Sequence, residues 1–256
     1  MPRYFIEVAY KGTKYSGFQV QDNGITIQSE VESALTIKFG QPFQLTGASR
    51  TDAGVHALQN YFHFDTEISL FSPKDNKEKH IQQVLYSLNS ILPEDIVIKK
   101  IVEVEEKQHC RFDAVSREYK YYIYHKKSPF YKDTAYFYPY TIDFEKLQET
   151  ATIILNTKNF ASFSKKNTQV NNFICSIYKS EWIQENDFLI YNVVANRFLR
   201  GMVKGLVGTM LKTASGKISL NEFIAIVKGN NGNNADFSVP AHGLFLIEVK
   251  YTDLIF

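Results

Sequence analysis

What most constrains the fold of this chain is a pattern that occurs twice. Short runs suited to strands alternate with runs whose apolar residues recur at helical spacing. In the first half, residues 3–10 (RYFIEVAY) read as a strand and lead into the turn KGTKYSG. Ile27, Val31, Ala34 and Leu35 then mark a helix to about Phe39, closed by Gly40 and Pro42. Residues 43–49 look extended and 58–64 alternate as a strand, with the turn-rich SRTDAGVHA between them. A helix carrying Ile81, Val84, Leu85 and Leu88 stops before Pro93, and a strand over 96–104 ends this half. The second half has a Tyr-rich strand at 119–125 and a helix marked by Phe144, Leu147, Ala151 and Ile154. Two strands over 182–196 follow, then a long helix from about Phe198, a shorter one at 220–227, the loop GNNGNNAD and a closing strand at 244–251. Strands and helices mixed within each half predict an α+β fold of two units, each a sheet with helices on one side. The boundary is expected near residue 107, giving domains 1–106 and 107–256.

The 16 Tyr and 20 Phe against a single Trp fit such strand-rich structure. Net charge is only +2, so bulk charge does not announce a nucleic-acid binder, but its distribution is uneven. Seven Lys/Arg lie between Lys107 and Lys132 against Asp113 and Glu118, and five lie between Arg197 and Lys217 with no acid. Two such segments in a chain of low net charge point to more than a solvated face. Cys110 and Cys175 have neither metal nor disulfide spacing and read as reduced, inert thiols. The start runs directly into a strand pattern, and no stretch approaches a membrane span, which leads to the expectation of a soluble, cytoplasmic protein without membrane attachment.

On a wheel of the long helix, Phe198, Leu199, Met202, Val203, Leu206, Val207 and Met210 share one broad side. Arg197, Arg200 and Lys204 fall opposite, interleaved with Gly201, Gly205 and Gly208. Interior glycines each cost a helix roughly 1 kcal/mol against Ala, so they imply a close backbone approach, by RNA or by another part of the protein. The basic stripe beside them favours phosphate contact.

The segment Ser49-Arg50-Thr51-Asp52-Ala53-Gly54-Val55-His56-Ala57 has two readings. It can be a plain turn, with Asp bonding its own backbone and Gly supplying a positive φ. Alternatively, Asp52 stands exposed at a strand end with Arg50 two residues away to hold it ionised, as a nucleophile requires.

The letters RTDAGVHA resemble the active-site motif of the tRNA pseudouridine synthase A family. Further segments match in order: YKGTKYSGFQ at 10–19, TIQSE at 26–30, NSILP at 89–93, and RFDA through REYKY at 111–121. NFASF at 159–163, FLRGMVK at 198–204 and PAHGL at 240–244 complete a series that spans essentially the whole chain. The resemblance implies two α+β halves flanking a basic cleft, a homodimer, no metal and no organic cofactor. It implies uridines of the tRNA anticodon stem-loop as substrate. Asp52 matches the family's nucleophile, Arg50 the arginine that pairs with it, and Tyr119 the tyrosine that packs against the target uracil. Arg200, Lys204 and the 120–127 stretch are candidates for phosphate contact, with Arg111 and Lys165 as further ones. Some positions depart from the pattern. Ser49 stands for the usual Gly, Lys204 for the usual Arg, and Cys175 where a basic residue is expected. The loop 165–172 is also less basic than the family's.

Two rival readings use the same residues. A non-catalytic RNA-binding or RNA-chaperone protein could use the basic helix and Tyr-rich strand, though it would have no need of a carboxylate among phosphate contacts. A metal-dependent hydrolase would use Asp52, His56 and His63, but no second carboxylate-and-His cluster is legible nearby.

Overall fold

The computed structural model describes residues 1–22, 24–68, 70, 77–165, 171–229 and 234–252. The chain forms two compact units, Met1–Val115 with Leu246–Phe256, and Ser116–Phe245. The first contains strand β1 (Arg3–Tyr10), helix α1 (Ile27–Phe39), β2 (Thr46–Gly47), β3 (His56–Asp65), α2 (Lys77–Ile91) and β4 (Ile96–Val104). The second contains β5 (Ser116–Tyr124), β6 (Tyr136–Phe137), α3 (Phe144–Leu155), β7 (Ile177–Glu185), β8 (Phe188–Ala195), α4 (Met202–Ala214) and α5 (Leu220–Lys228). The last strand, β9 (Leu244–Lys250), belongs for most of its length to the first unit. The α+β class predicted from the sequence is the class observed.

In the first unit the strand order is β4-β1-β3-β9, antiparallel where β1 meets β3 and β4, with β2 added along β3. The register Phe5↔His63, Ile6↔Phe62, Glu7↔Tyr61 and Val8↔Asn60 puts alternate residues on opposite faces. Tyr4 stacks with Phe64 at 5.7 Å, and Phe62 lies nearly flat on Phe18 at 4.3 Å. On the other face Phe5 and Tyr61 both meet Tyr251. Residues 60–64 of β3 are buried throughout, so both of its faces are covered there. Thr26 caps α1 through a reciprocal box with Ser29, and Gly40 ends it in the left-handed region at φ 72°.

In the second unit β8 lies between β5 and β7, all antiparallel, and β6 pairs β5 in parallel. Arg117, Tyr119, Tyr121 and Ile123 alternate as the buried side of β5. Helix α3 packs on β7 and on α4. Trp182 is buried, 5.0 Å from the Tyr191 ring, and its indole N–H donates to the Met210 sulfur at 3.3 Å.

Three sequence expectations are corrected. Residues 43–49 are mostly irregular, with only Thr46–Gly47 paired. Strand β7 begins at Ile177 rather than 182. The long helix starts at Met202, because Gly201 sits at φ 73° and helical geometry begins only after it. Arg197 and Arg200 therefore precede the helix, and of the expected basic stripe only Lys204 is on it. The helical glycines also have an internal explanation. A Cβ on Gly208 would collide with the Asp236 carbonyl, and one on Gly205 would press on the Phe237 ring at 2.8 Å. Parts of the loops 229–236 and 165–172 lie outside the described residues.

Candidate active site

Residues 48–55 link β2 to β3 through a reverse turn. The Val55 N–H donates to the Asp52 carbonyl at 3.2 Å, and Gly54 supplies φ 79°. The turn is thus closed by backbone. The Asp52 carboxylate, half-buried, makes no hydrogen bond or ion pair among the described residues. Arg50 is exposed and is likewise unpaired among them, so the expected ion pair with Asp52 is not formed. Thr51 between them is buried and turned inward.

Neighbouring elements hold this turn from behind. The Tyr10 hydroxyl hydrogen-bonds the Thr51 hydroxyl at 2.8 Å, and the Asn60 amide donates to Tyr10 at 3.2 Å and to the Ser49 carbonyl at 2.8 Å. Burial pushes the Tyr10 phenol well up, so it stays protonated and can donate. The Phe18 N–H donates to the Thr51 carbonyl at 3.1 Å, and the Gly12 N–H to His56 Nδ1 at 3.0 Å. Gly17, at φ 103°, lies so close that a Cβ there would stand 3.1 Å from the Thr51 carbonyl oxygen. A Cβ on Gly12 would overlap the Val55 carbonyl. The segment KGTKYSG is therefore the back wall of the Asp52 turn. The Ser49 backbone is not in the positive-φ region, and its hydroxyl is buried without a hydrogen-bond partner among the described residues.

Arg50 and Arg111 line one polar cavity of about 170 Å³, together with Gln19, Gln28, His109 and Phe112. The structure thus brings these two predicted residues together. A larger cavity of about 520 Å³, lined by residues of α3, α5 and the segments after them, contains none of the predicted residues. In the second unit, Tyr119 is buried and meets the Phe198 ring edge-on at 5.1 Å. The Lys165 N–H donates to the Arg200 carbonyl at 3.0 Å, and the Lys165 side chain lies along Gly201. Tyr119 and Phe198 form one contact and Lys165, Arg200 and Gly201 another, while Lys204 is half-buried in the first turn of α4. Several cations of the two basic segments are spent internally. Arg117 is buried and donates to the Asn196 carbonyl at 2.9 Å, Lys212 pairs with Asp236 at 3.2 Å, and Lys217 lies over the Tyr140 ring. Cys175 is buried as well, its thiol pushed up to about 11 by burial.

Sequence reasoning missed the buried Tyr10–Thr51–Asn60 network, whose members are 9 to 50 positions apart and carry no local pattern. It also missed the surroundings of Cys110. Cys110 Sγ lies 3.1 Å from His63 Nδ1 and 3.2 Å from the Thr46 carbonyl, and His63 meets His109 edge-on at 4.5 Å. These three are the group of metal-capable side chains found among the described residues. Burial first, then His109 and Arg3, pushes His63 down to about 4, so its imidazole is neutral at physiological pH. His109 Nδ1 already accepts the amides of Arg111 and Phe112, at 3.1 and 3.4 Å. The cluster therefore acts as a hydrogen-bonded pin. It includes neither Asp52 nor His56, so the ligand set of the hydrolase reading is not assembled.

Comparison with known proteins matches most of the chain. The pattern of the family described as tRNA pseudouridine synthase covers residues 6–113 and 155–252. A tRNA pseudouridine synthase A of Parabacteroides distasonis is 40% identical over 256 residues, covering 100% of this chain and 98% of the relative. That of Bacteroides fragilis is 41% identical, covering 99% and 98%, and that of Staphylococcus aureus 33% identical, covering 96% and 90%. With the RTDAGVHA turn braced as described and the likeness running from end to end, the chain belongs to the tRNA pseudouridine synthase family.

Proposed function

We propose that this protein converts uridine to pseudouridine in tRNA, with Asp52 as the catalytic carboxylate. The observation that carries the proposal is the unspent Asp52 carboxylate on a turn whose Thr51 hydroxyl and whose Ser49 and Thr51 carbonyls are bound from behind. A carboxylate needed only for the turn would be bonded to it, and here the backbone closes the turn instead. The reaction breaks the N1–C1′ bond, turns the uracil and joins C5 to C1′. N1 gains a proton and C5 loses one, so atoms and electrons balance without redox or energy input. Asp52 would serve by attack at C1′, by addition to C6 or by assisting glycal formation. Each of these roles needs an ionised, accessible carboxylate.

The target base must leave the stack, at a cost of a few kcal/mol. Tyr119 would pack against the uracil, with its edge contact to Phe198 fixing the ring. Arg50, beside Asp52 and unpaired, would occupy the space left by the flipped base. Arg111, Lys165, Arg200 and Lys204 would neutralise phosphates. The proposal includes a division of labour between residues 1–106, with the Asp turn, and residues 107–256, with Tyr119, Arg200 and Lys204. It also includes anticodon stem-loop uridines as targets, a homodimer in the cytoplasm, and chemistry without metal or organic cofactor. Among the described residues, no helix is long and apolar enough to cross a membrane.

The test compares wild type with Asp52→Asn on unmodified tRNA carrying anticodon stem-loop uridines. The expected result is turnover in wild type alone, with fold and tRNA affinity retained by the variant. Binding without turnover in both proteins would make this a non-catalytic RNA binder.

A further inference from the structure

We propose that the exposed Phe112 ring and the polar cavity beside it form a stacking subsite for one unpaired base of the substrate RNA, adjacent to the target uridine. The inference rests on the tRNA reading above and adds a recognition site to it. It starts from how the loop 109–113 is held. The His109 N–H donates to Asp113 Oδ2 at 2.7 Å, and the Asp113 N–H donates back to the His109 carbonyl at 3.1 Å. The amides of Arg111 and Phe112 both point at His109 Nδ1. Beneath them Cys110 is fully buried against Thr46 and His63, and the Tyr251 hydroxyl donates to the Cys110 carbonyl at 2.6 Å.

A loop pinned this tightly could turn its one large apolar side chain inward. Instead Phe112 is 74% exposed, backed by the His109 ring at 4.3 Å and flanked by the Arg111 guanidinium 5.7 Å from its centroid. A rigid aromatic face in water with a cation alongside is what a nucleobase and its phosphate recognise together. The adjoining cavity supplies polar partners for a base edge. Gln19 and Arg50 line it, and their side chains make no hydrogen bond among the described residues. At about 170 Å³ it is smaller than the roughly 300–1,000 Å³ of ordinary small-molecule pockets, which suits one planar ring better than a whole nucleotide cofactor. Arg50 lines this cavity and is two residues from Asp52, which sets the stacked base beside the reacting one.

The test uses tRNA with 2-aminopurine at positions flanking the target uridine, bound to wild type, Phe112→Ala, Phe112→Leu and Phe112→Tyr. Stacking predicts fluorescence quenching at one flanking position in wild type and Phe112→Tyr, and loss of it in the Ala and Leu variants. Phe112→Ala should weaken tRNA binding about 10-fold to 100-fold, the range expected for one base–aromatic stack. An affinity for Phe112→Ala within twofold of wild type would overturn the subsite, as would a Leu variant that quenches like Tyr. Turnover by wild type on the same RNA is scored separately. Quenching without turnover strikes the enzymatic reading alone, and turnover with Phe112→Ala affinity unchanged strikes the subsite alone.

Discussion

The turn that carries Asp52 and the turn that carries Arg200 use the same device, a glycine at positive φ, with Gly54 at 79° and Gly201 at 73°. Their surroundings differ. Behind Asp52 stand a buried side-chain network and two glycines that admit backbone within van der Waals distance. Around Arg200 the bonds are mostly backbone to backbone, from Lys165 to Arg200 and from Met202 to Leu199, and a flexible lysine stem lies along the glycine. The first arrangement holds the turn backbone from several sides, which suits a group that must be placed accurately. The second leaves the Arg200 side chain more latitude, which suits the proposed phosphate contact.

The sharpest way to break this comparison is Gly12→Ala. Its Cβ meets the Val55 backbone, which cannot step aside. The expected loss is about 3 kcal/mol in urea unfolding, with turnover at least tenfold lower. Gly205→Ala is the control. There the obstacle is the Phe237 ring, which can shift, and the helix gains an alanine. A Gly12→Ala protein as stable and active as Gly205→Ala would mean that the Asp52 turn is not held as rigidly as argued.

The second test addresses the compliant region. Arg200→Ala with Lys204→Ala should weaken tRNA binding about tenfold and lower the salt slope by about 1.5 to 2, with turnover at saturating tRNA little changed. An unchanged affinity and slope would remove both cations from the RNA interface. The smallest expected effect belongs to Ser49→Ala, which removes a buried hydroxyl without a partner. The variant should be more stable by about 1 kcal/mol, read as an upward shift in the denaturation midpoint. A loss of stability would show that the hydroxyl is satisfied after all.

How much of this was legible in the sequence depended on how local the cause was. The α1 boundary could be read because its determinants, the Ile27–Leu35 stripe and Gly40, lie within one segment. Strand β4 was read at its true limits for the same reason. The start of α4 was misplaced because apolar spacing continues through Phe198 and Leu199, while the terminator is a backbone angle at Gly201. The helical glycines were open to two explanations because their partners, Phe237 and Asp236, are far along the chain. In the candidate site Arg50 and Asp52 could be named from one motif, but nothing local could reveal that Tyr10 and Asn60 brace Thr51. Phe112 passed unnoticed because exposure is a property of the folded loop.

Strand β9 has a consequence for how the protein comes into being. It closes the first unit's sheet beside β3, and from its end the Lys250 carbonyl accepts the Val115 N–H while Tyr251 packs on Tyr61 and Phe5. A chain emerging from a ribosome displays residues 1–115 long before these partners exist. The Asp52-bearing unit must then wait for some 130 intervening residues with an unpaired edge along β3, a sequence separation that slows closure. Maturation of the early half is thereby tied to completion of the late one.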